Sequence, residues 1–386
     1  MLETWLEKQL LKRNHLSRAL FTQEASRLAD LSREMSERFL QGGRLLAFGK
    51  GAYATDAQHV SVEFVHPVIV GKRALPALDI SHAFMPWLKT GLQENDMVMG
   101  FALSDGDTEI EKALEFAKSK GALTFALTGS TADFALTLEG HPPFIQQELT
   151  EILYHTLWET VHVFFEHHEL GHDVGASSFL YPFLGESKQD TQGILEDVAV
   201  SIKQKAKDAE ALREKITETS LEAIASVIKE IGKRIAEGGK VISFGNGGSA
   251  TDANDFVFDC LTPPSGMNPI PAISLSMESA NLTAIANDVG VDVMFTRQLI
   301  AHAKENDIVV AFSTSGSSRN IVASLEEARK RGLFTVALLG YDGGNIVRQH
   351  LADISLVVPS DYIPRIQEVQ ASIYHLIREG LELSYG

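Results

Sequence analysis

The stretch FGKGAYATDAQH at residues 48–59 is nearly repeated as FGNGGSATDAND at residues 244–255. Each copy follows a short apolar run, Leu45–Phe48 or Val241–Phe244, and passes through glycines into a segment of helical character. A strand that turns through glycine into a helix is the repeating unit of a parallel, helix-covered sheet. Two copies about half a chain apart therefore set a period for the whole molecule.

Two more matches follow in the same order. Residues 100–121, GFALSDGDTEIEKALEFAKSKG, align without a gap to AFSTSGSSRNIVASLEEARKRG at 311–332. IQQELTEILYH at 145–155 pairs with RIQEVQASIYH at 365–375 through Gln147/Gln367 and His155/His375. Three ordered matches amount to an internal duplication. Ahead of each glycine turn the spacing predicts a helix with one apolar face. Leu28, Leu31, Met35 and Phe39 form it in the first half, and Ile224, Ile228, Ile231 and Ile235 in the second. Gly42-Gly43 and Gly238-Gly239 close these helices as C-terminal glycines do. Met97–Ala102 and Ile308–Phe312 again lead a strand into a helix. The expected fold is α/β, with two domains in tandem. Each is a parallel sheet flanked by helices, a three-layer arrangement of the flavodoxin-like or Rossmann-like kind. Residues 171–193 lack helical periodicity and carry turn formers, so domains are expected at 1–172 and 194–386, with 173–193 as linker.

Bulk properties narrow the function. A chain of 386 residues with 44% hydrophobic and 22% charged residues suits two domains that each bury a core. A formal charge of −17 argues against nucleic acid as a partner, because phosphate neutralisation needs clustered Lys and Arg. A small anion remains compatible, since the backbone N–H groups of one helix start can bind it locally. Cys260 is the only cysteine, which rules out an intramolecular disulfide and points to a reducing compartment. No apolar run approaches the ~18 residues that span a bilayer. The first residues mix acids into their apolar positions, unlike a signal peptide. No membrane partner and a cytoplasmic location are expected.

Two turns in the second half carry candidate chemistry. Phe244-Gly-Asn-Gly-Gly-Ser-Ala-Thr-Asp252 matches G-x-G-x-x-A, yet no acidic residue about 20 positions on is placed to hold a ribose, which argues against a dinucleotide. No Gly-Lys-Ser/Thr follows, so it is no Walker A loop. Ser313-Thr-Ser-Gly-Ser-Ser318 lies between a strand and a helix. A helix cap uses one hydroxyl, and here five are clustered beside free N–H groups, an arrangement suited to phosphate oxygens.

At this point the chain resembles the SIS (sugar isomerase) domain family, and within it the phosphoheptose isomerases. GNGGSATDA at 245–253, AIAND at 284–288, STSGSS at 313–318, YDGG at 341–344 and RIQE at 365–368 look like that family's motifs in its order. The resemblance implies substrate contacts at Asn246, Gly247, Gly248, Ser249, Asn287, Asp288, Ser313, Thr314, Ser315, Ser318 and Gln367. It implies a divalent metal, expected to be Zn²⁺, on a His, Glu, Gln and His set. In the second half those positions read Asp255, Asp259, Gln367 and His375, a departure at the first two. In the first half they read His59, Glu63, Gln147 and His155, the complete set.

The first half departs elsewhere. Ala102-Leu-Ser-Asp-Gly-Asp107 replaces the hydroxyl run with two carboxylates that would repel phosphate, and nothing matches AIAND or YDGG. Lys50, Ala52 and Tyr53 stand for Asn246, Gly248 and Ser249. His59 and Glu63 are four apart and share a helical face. Gln147 and His155 are eight apart, roughly 12 Å along a regular helix, too far to share an ion within it. Either Gln147 precedes the helix, as Pro142-Pro143 would allow, or sites combine different units. His162, Glu166, His167, His168 and His172 read as a solvated helix terminus.

The resemblance implies aldose–ketose isomerisation of a sugar phosphate, sedoheptulose 7-phosphate to D-glycero-D-manno-heptose 7-phosphate. Glu63 and His155 would be the acid–base pair, with His375 the corresponding catalytic residue of the second half. Duplication would let one half specialise in metal chemistry and the other in phosphate. The alternative is a non-catalytic SIS protein that senses a phosphosugar or serves as a scaffold. SIS isomerases assemble four such domains, so a homodimer of this chain is expected.

Overall fold

The computed structural model describes residues 1–68, 72–102, 106–126, 131–136, 138, 140–170 and 191–385. The first half runs α1 (Leu2–Leu40), β1 (Leu45–Gly49), α2 (Tyr53–Val65), β2 (Ala77–Asp79), α3 (Phe84–Gly91), β3 (Met97–Phe101), α4 (Thr108–Ser119), β4 (Leu123–Ala126), β5 (Phe134–Ala135) and α5 (Pro143–Leu170). After α6 (Thr191–Thr219) and α7 (Leu221–Ala236) come β6 (Val241–Phe244), α8 (Gly248–Leu261), β7 (Ala272–Ser274), α9 (Ser279–Asp288), α10 (Met294–His302) and β8 (Ile308–Ser313). The chain closes with α11 (Arg319–Lys330), β9 (Phe334–Leu339), α12 (Gly344–Arg348), β10 (Ile354–Val357) and α13 (Ile363–Tyr385).

The two sheets repeat one plan, as the duplication requires. One has the order β2-β1-β3-β4-β5 and the other, read from its opposite edge, β7-β6-β8-β9-β10. Every pairing is parallel, with Leu45 beside Met97 in one sheet and Val241 beside Ile308 in the other. Strands buried on both faces read as continuous apolar runs, and alternation assigns each residue to a face. Leu45 and Ala47 enter the core on one side of the first sheet, and Leu46 and Phe48 the core on the other. In the second sheet Ile308, Val310 and Phe312 face one core, and Val309 and Ala311 the other. This is the expected three-layer architecture, present twice.

The compact units are not two linear pieces. His15–Glu210 forms one, and Met1–Asn14 with Ala211–Gly386 forms the other. Thus Leu6 and Leu10 are buried in the core of the second sheet's unit, and Ile194, Val198, Ile202 and Ala206 in that of the first. An apolar helical stripe specifies that it will be buried, not by which sheet. This division differs from the expected boundaries at 172 and 194. The expected linker, 173–193, lies outside the described residues except for the start of α6.

Candidate active site

Both sheets share a strand order in which the chain moves out from β1 (or β6) to one side and then continues on the other. Ligands of such sheets bind where the order switches, outside the carboxyl ends of the strands. In the second sheet that point lies between β6 and β8, so the glycine turn after Phe244 and the hydroxyl turn after Phe312 flank one crevice. A Cβ on Gly245 would lie 2.1 Å from the Ser249 carbonyl, so only glycine permits a turn this tight. The turn delivers the first N–H groups of α8, those of Gly248 and Ser249 among them, to the crevice. Asn246 and Asn320 join the two turns: the Nδ2 of each donates to the Oδ1 of the other, at 3.0 and 2.9 Å.

The hydroxyl turn is held from behind. The Ser313 Oγ accepts from the Gly316 N–H at 3.1 Å, and the Ser317 Oγ accepts from the Asn345 N–H at 3.1 Å. Gly316 has φ 58°, and a Cβ there would lie 2.1 Å from the Gly343 carbonyl, so the YDGG segment buttresses the turn. Ser318 occupies the N-cap position of α11 without a side-chain capping bond. Its hydroxyl and the N–H groups of Arg319 and Asn320 face the N-terminal end of α11, while the Ile321 N–H is bonded to the Asn320 Oδ1 at 3.0 Å.

The same place in the first sheet is occupied by the protein's own charges. Asp107, aligned with Ser318, caps α4: its Oδ1 accepts from the N–H groups of Glu109 at 2.8 Å and Ile110 at 3.2 Å. Lys50, aligned with Asn246, donates to Asp107 at 3.0 Å and also pairs with Glu109, which is aligned with Asn320. A neutral Asn–Asn pair in one half is thus a Lys–Glu ion pair in the other. Desolvation alone would raise the Asp107 carboxyl, but bonds from Lys50 and the two N–H groups hold it below its usual range. The sequence suggested repulsion of phosphate here; the structure adds that the N–H donors are already used. Asp105, the other carboxylate of this turn, lies outside the described residues.

Each unit also buries a cluster able to hold an ion. In the first, His59 on α2 meets Glu151 and His155 on α5, with donor atoms within 4.8 Å of one another. The His59 and His155 Nε2 atoms are 3.4 Å apart, and the Glu63 Oε1 is 3.8 Å from the His59 Nε2. Two imidazole nitrogens on one tetrahedral zinc ion would be about 3.3 Å apart. Two histidines and a carboxylate are a donor set zinc accepts, so the residues fit the implied metal. Burial, reinforced by the Glu159 carboxylate, pushes the Glu63 carboxyl up to about 8, and Glu159 is itself paired with Lys205 at 2.5 Å. Burial, then His155, holds His59 well below its ordinary value.

In the second unit Asp255 and Asp259 on α8 meet His375 on α13. The His375 Nε2 lies 3.2 Å from the Asp259 Oδ2 and 3.7 Å from the Asp255 Oδ2. Burial and then Asp255 push Asp259 up to about 7, against the pull of His375 and Arg378. Two carboxylates with one imidazole make a harder donor set than that of the first unit.

Other expected residues fall less neatly. Gln147 is inside α5, not ahead of it, so Pro142-Pro143 does not free it from the helix. Within this unit Gln147 and His155 stay about 12 Å apart, and the ion-holding group uses Glu151. Gln367 and His375 have the same separation on α13. The first turn of α13 does reach the crevice: Ile366 lies against Gly340, whose N–H donates to the Thr314 carbonyl at 2.9 Å. Asn287 and Asp288 end α9, a helix with no buried residue, and bond to each other at 2.8 Å. The segment just beyond is tied to the start of α11 by Asp292 and Arg319 at 3.8 Å. His162 is no solvated terminus: it is buried, with ring nitrogens 2.8 Å from the Trp158 carbonyl and 3.0 Å from that of Arg73. His172 and the side chains of 166–168 lie outside the described residues.

A family model described as SIS domain matches residues 206–340. The phosphoheptose isomerase of Geobacter sp. (strain M21) is 44% identical over 161 residues, covering 42% of this chain and 83% of that protein. The phosphoheptose isomerase of Pelobacter propionicus is 38% identical over 190 residues, 49% of this chain and 97% of that protein. These relatives correspond to about half of the chain. Among solved structures, the C-terminal domain of glucosamine-fructose-6-phosphate aminotransferase from Francisella tularensis superposes with a TM-score of 0.65, covering 98% of this chain and 96% of that one. Its 11% identity carries the fold alone.

Proposed function

The chain belongs to the SIS-domain family, in the company of the phosphoheptose isomerases, and on that footing we propose that it interconverts the aldose and ketose forms of a sugar phosphate. The substrate proposed is sedoheptulose 7-phosphate, with D-glycero-D-manno-heptose 7-phosphate as product. The observation that carries this reading is the crevice between β6 and β8. Two helix starts and the uncommitted Ser318 hydroxyl converge there, and Asn246 locks one turn to the other. Phosphate would sit on Ser313, Thr314, Ser315 and Ser318 with Ser249, and Asn287, Asp288 and Gln367 would serve the sugar.

Isomerisation moves a proton between adjacent carbons through an enediol, so it needs a base, an acid and stabilisation of a developing oxyanion. Glu63 is the candidate proton carrier: its Oε1 lies 3.8 Å from the His59 Nε2, and in the metal-free protein burial raises its carboxyl to about 8. His155, fully buried with its Nε2 3.4 Å from that of His59, is the candidate partner, and His375 with Asp259 is the candidate in the other cluster. His59, Glu151 and His155 would hold a divalent ion, which supplies polarisation of the sugar oxygens. Phosphate anchoring contributes remote binding energy that aligns the reacting carbons.

A second reading, a phosphosugar-binding regulator or scaffold, is favoured by two observations. The first unit's turn is filled by Asp107 and Lys50, and Asp255 and Asp259 replace the usual ligands in the second. A coupled assay with sedoheptulose 7-phosphate, with and without added Zn²⁺, separates them. Turnover supports the isomerase; tight binding of the sugar phosphate with no product under either condition supports the regulator.

A further inference from the structure

The buried tyrosine that precedes each cluster histidine has a constant partner. In the first unit the Tyr154 hydroxyl lies 3.0 Å from the His59 Nδ1. In the second the Tyr374 hydroxyl donates to the Asp255 Oδ2 at 2.7 Å. Tyr154 aligns with Tyr374, and His59 with Asp255. The pairing therefore survives a change of ligand chemistry from imidazole to carboxylate. A hydroxyl can do this because it both donates and accepts: it is able to accept from an Nδ1–H in one unit and donates to a carboxylate in the other.

We propose that Tyr154 is a positioning residue that fixes the tautomer and ring orientation of His59, and that Tyr374 fixes the carboxylate orientation of Asp255. The proposal rests on the metal reading of the His59–Glu151–His155 cluster. With its Nδ1 proton held by Tyr154, His59 presents the Nε2 lone pair toward the His155 Nε2, 3.4 Å away, and toward the Glu63 Oε1. A ligating histidine whose second nitrogen is tied in this way keeps one tautomer and loses little freedom on binding; removing such a partner costs ~10–100-fold in metal affinity. The tyrosine ring is itself held, 2% exposed and edge-on to Phe101 and His155. Tyr154→Phe therefore keeps the packing and deletes only the hydroxyl.

The test uses the full chain with His375→Ala, so that only the first cluster is read. Zn²⁺ affinity is measured by competition with a chromogenic chelator, and the His59 tautomer by long-range proton–nitrogen NMR correlations on metal-free protein. The expected result is a 10–100-fold weaker Zn²⁺ affinity in Tyr154→Phe, with His59 passing from one Nδ1–H tautomer to a mixture. Equal affinity and an unchanged tautomer in the two proteins would overturn the proposal. If neither protein takes up Zn²⁺, the metal reading falls, and the tautomer measurement alone decides whether Tyr154 positions His59.

Discussion

Replacing Ser318 by Asp should convert the proposed anion site of the second unit into a copy of the first unit's filled turn. The expectation comes from Asp107, whose carboxylate already takes two helix-start N–H groups at 2.8 and 3.2 Å. In the second unit the same carboxylate would withdraw the Asn320 N–H from a bound phosphate, the Ile321 N–H being already bonded to the Asn320 Oδ1 at 3.0 Å. It would also repel the phosphate, at ~5 Å, by about 3 kcal/mol per unit charge at an effective dielectric of about 20. No lysine compensates, because position 246 is Asn where the first unit has Lys50. The combined loss is a weakening of at least about 100-fold, while the new cap stabilises α11 by about 1 kcal/mol. Calorimetric titration with the sugar phosphate reads the first effect and thermal denaturation the second. Ser318→Asn caps without charge and separates the two contributions, with a loss of about tenfold expected from the one donor alone. If Ser318→Asp raises the melting temperature yet binds within twofold of wild type, the phosphate does not sit at this turn.

Other expectations follow from the two clusters and the assembly. Glu63→Gln should lower kcat by at least about 100-fold with little change in phosphosugar affinity, because it removes a proton-transfer group and not an anchor. If Asp259→Asn or His375→Ala is the damaging change and Glu63→Gln is silent, the second unit carries the chemistry. In metal-free protein a carboxyl raised from 4.5 to about 8 contributes stability present in full below pH 4.5 and lost as pH rises through 8. Wild type should therefore lose up to about 5 kcal/mol relative to Glu63→Gln between pH 5 and 9, read by urea denaturation at each pH. Two chains should associate in solution, and sedimentation showing a monomer at micromolar concentration would refute the expected homodimer.

Much of this was legible because a duplication lets one half annotate the other. The glycine turns, the strands around them and the shared order of both sheets follow from three aligned segments. Other features depend on partners that a motif does not name. Lys50 was visible as a replacement for Asn246, but its meaning needs Glu109, which the gapless alignment sets against Asn320. Glu151 belongs to no motif and faces Ala371 in the repeat; the only trace it leaves is its spacing of four from His155. His162 looked like part of a charged helix end, yet carbonyls of Trp158 and Arg73 make it a buried structural residue. Polar residues are placed by what satisfies them, and those partners lie far away in sequence.

The discontinuous units bear on how the gene could ever be divided. A break anywhere in 173–193 would strip Ile194, Val198 and Ile202 from the core they fill, and would leave Leu6 and Leu10 on the wrong fragment. Each buried aliphatic is worth about 1.5–3 kcal/mol, so three of them approach the ~5–15 kcal/mol that holds a whole domain folded. Neither fragment would then stand alone as a well-behaved single-sheet protein. Separating the halves would therefore require new packing partners for these helical segments, and not only a cut between two sheets.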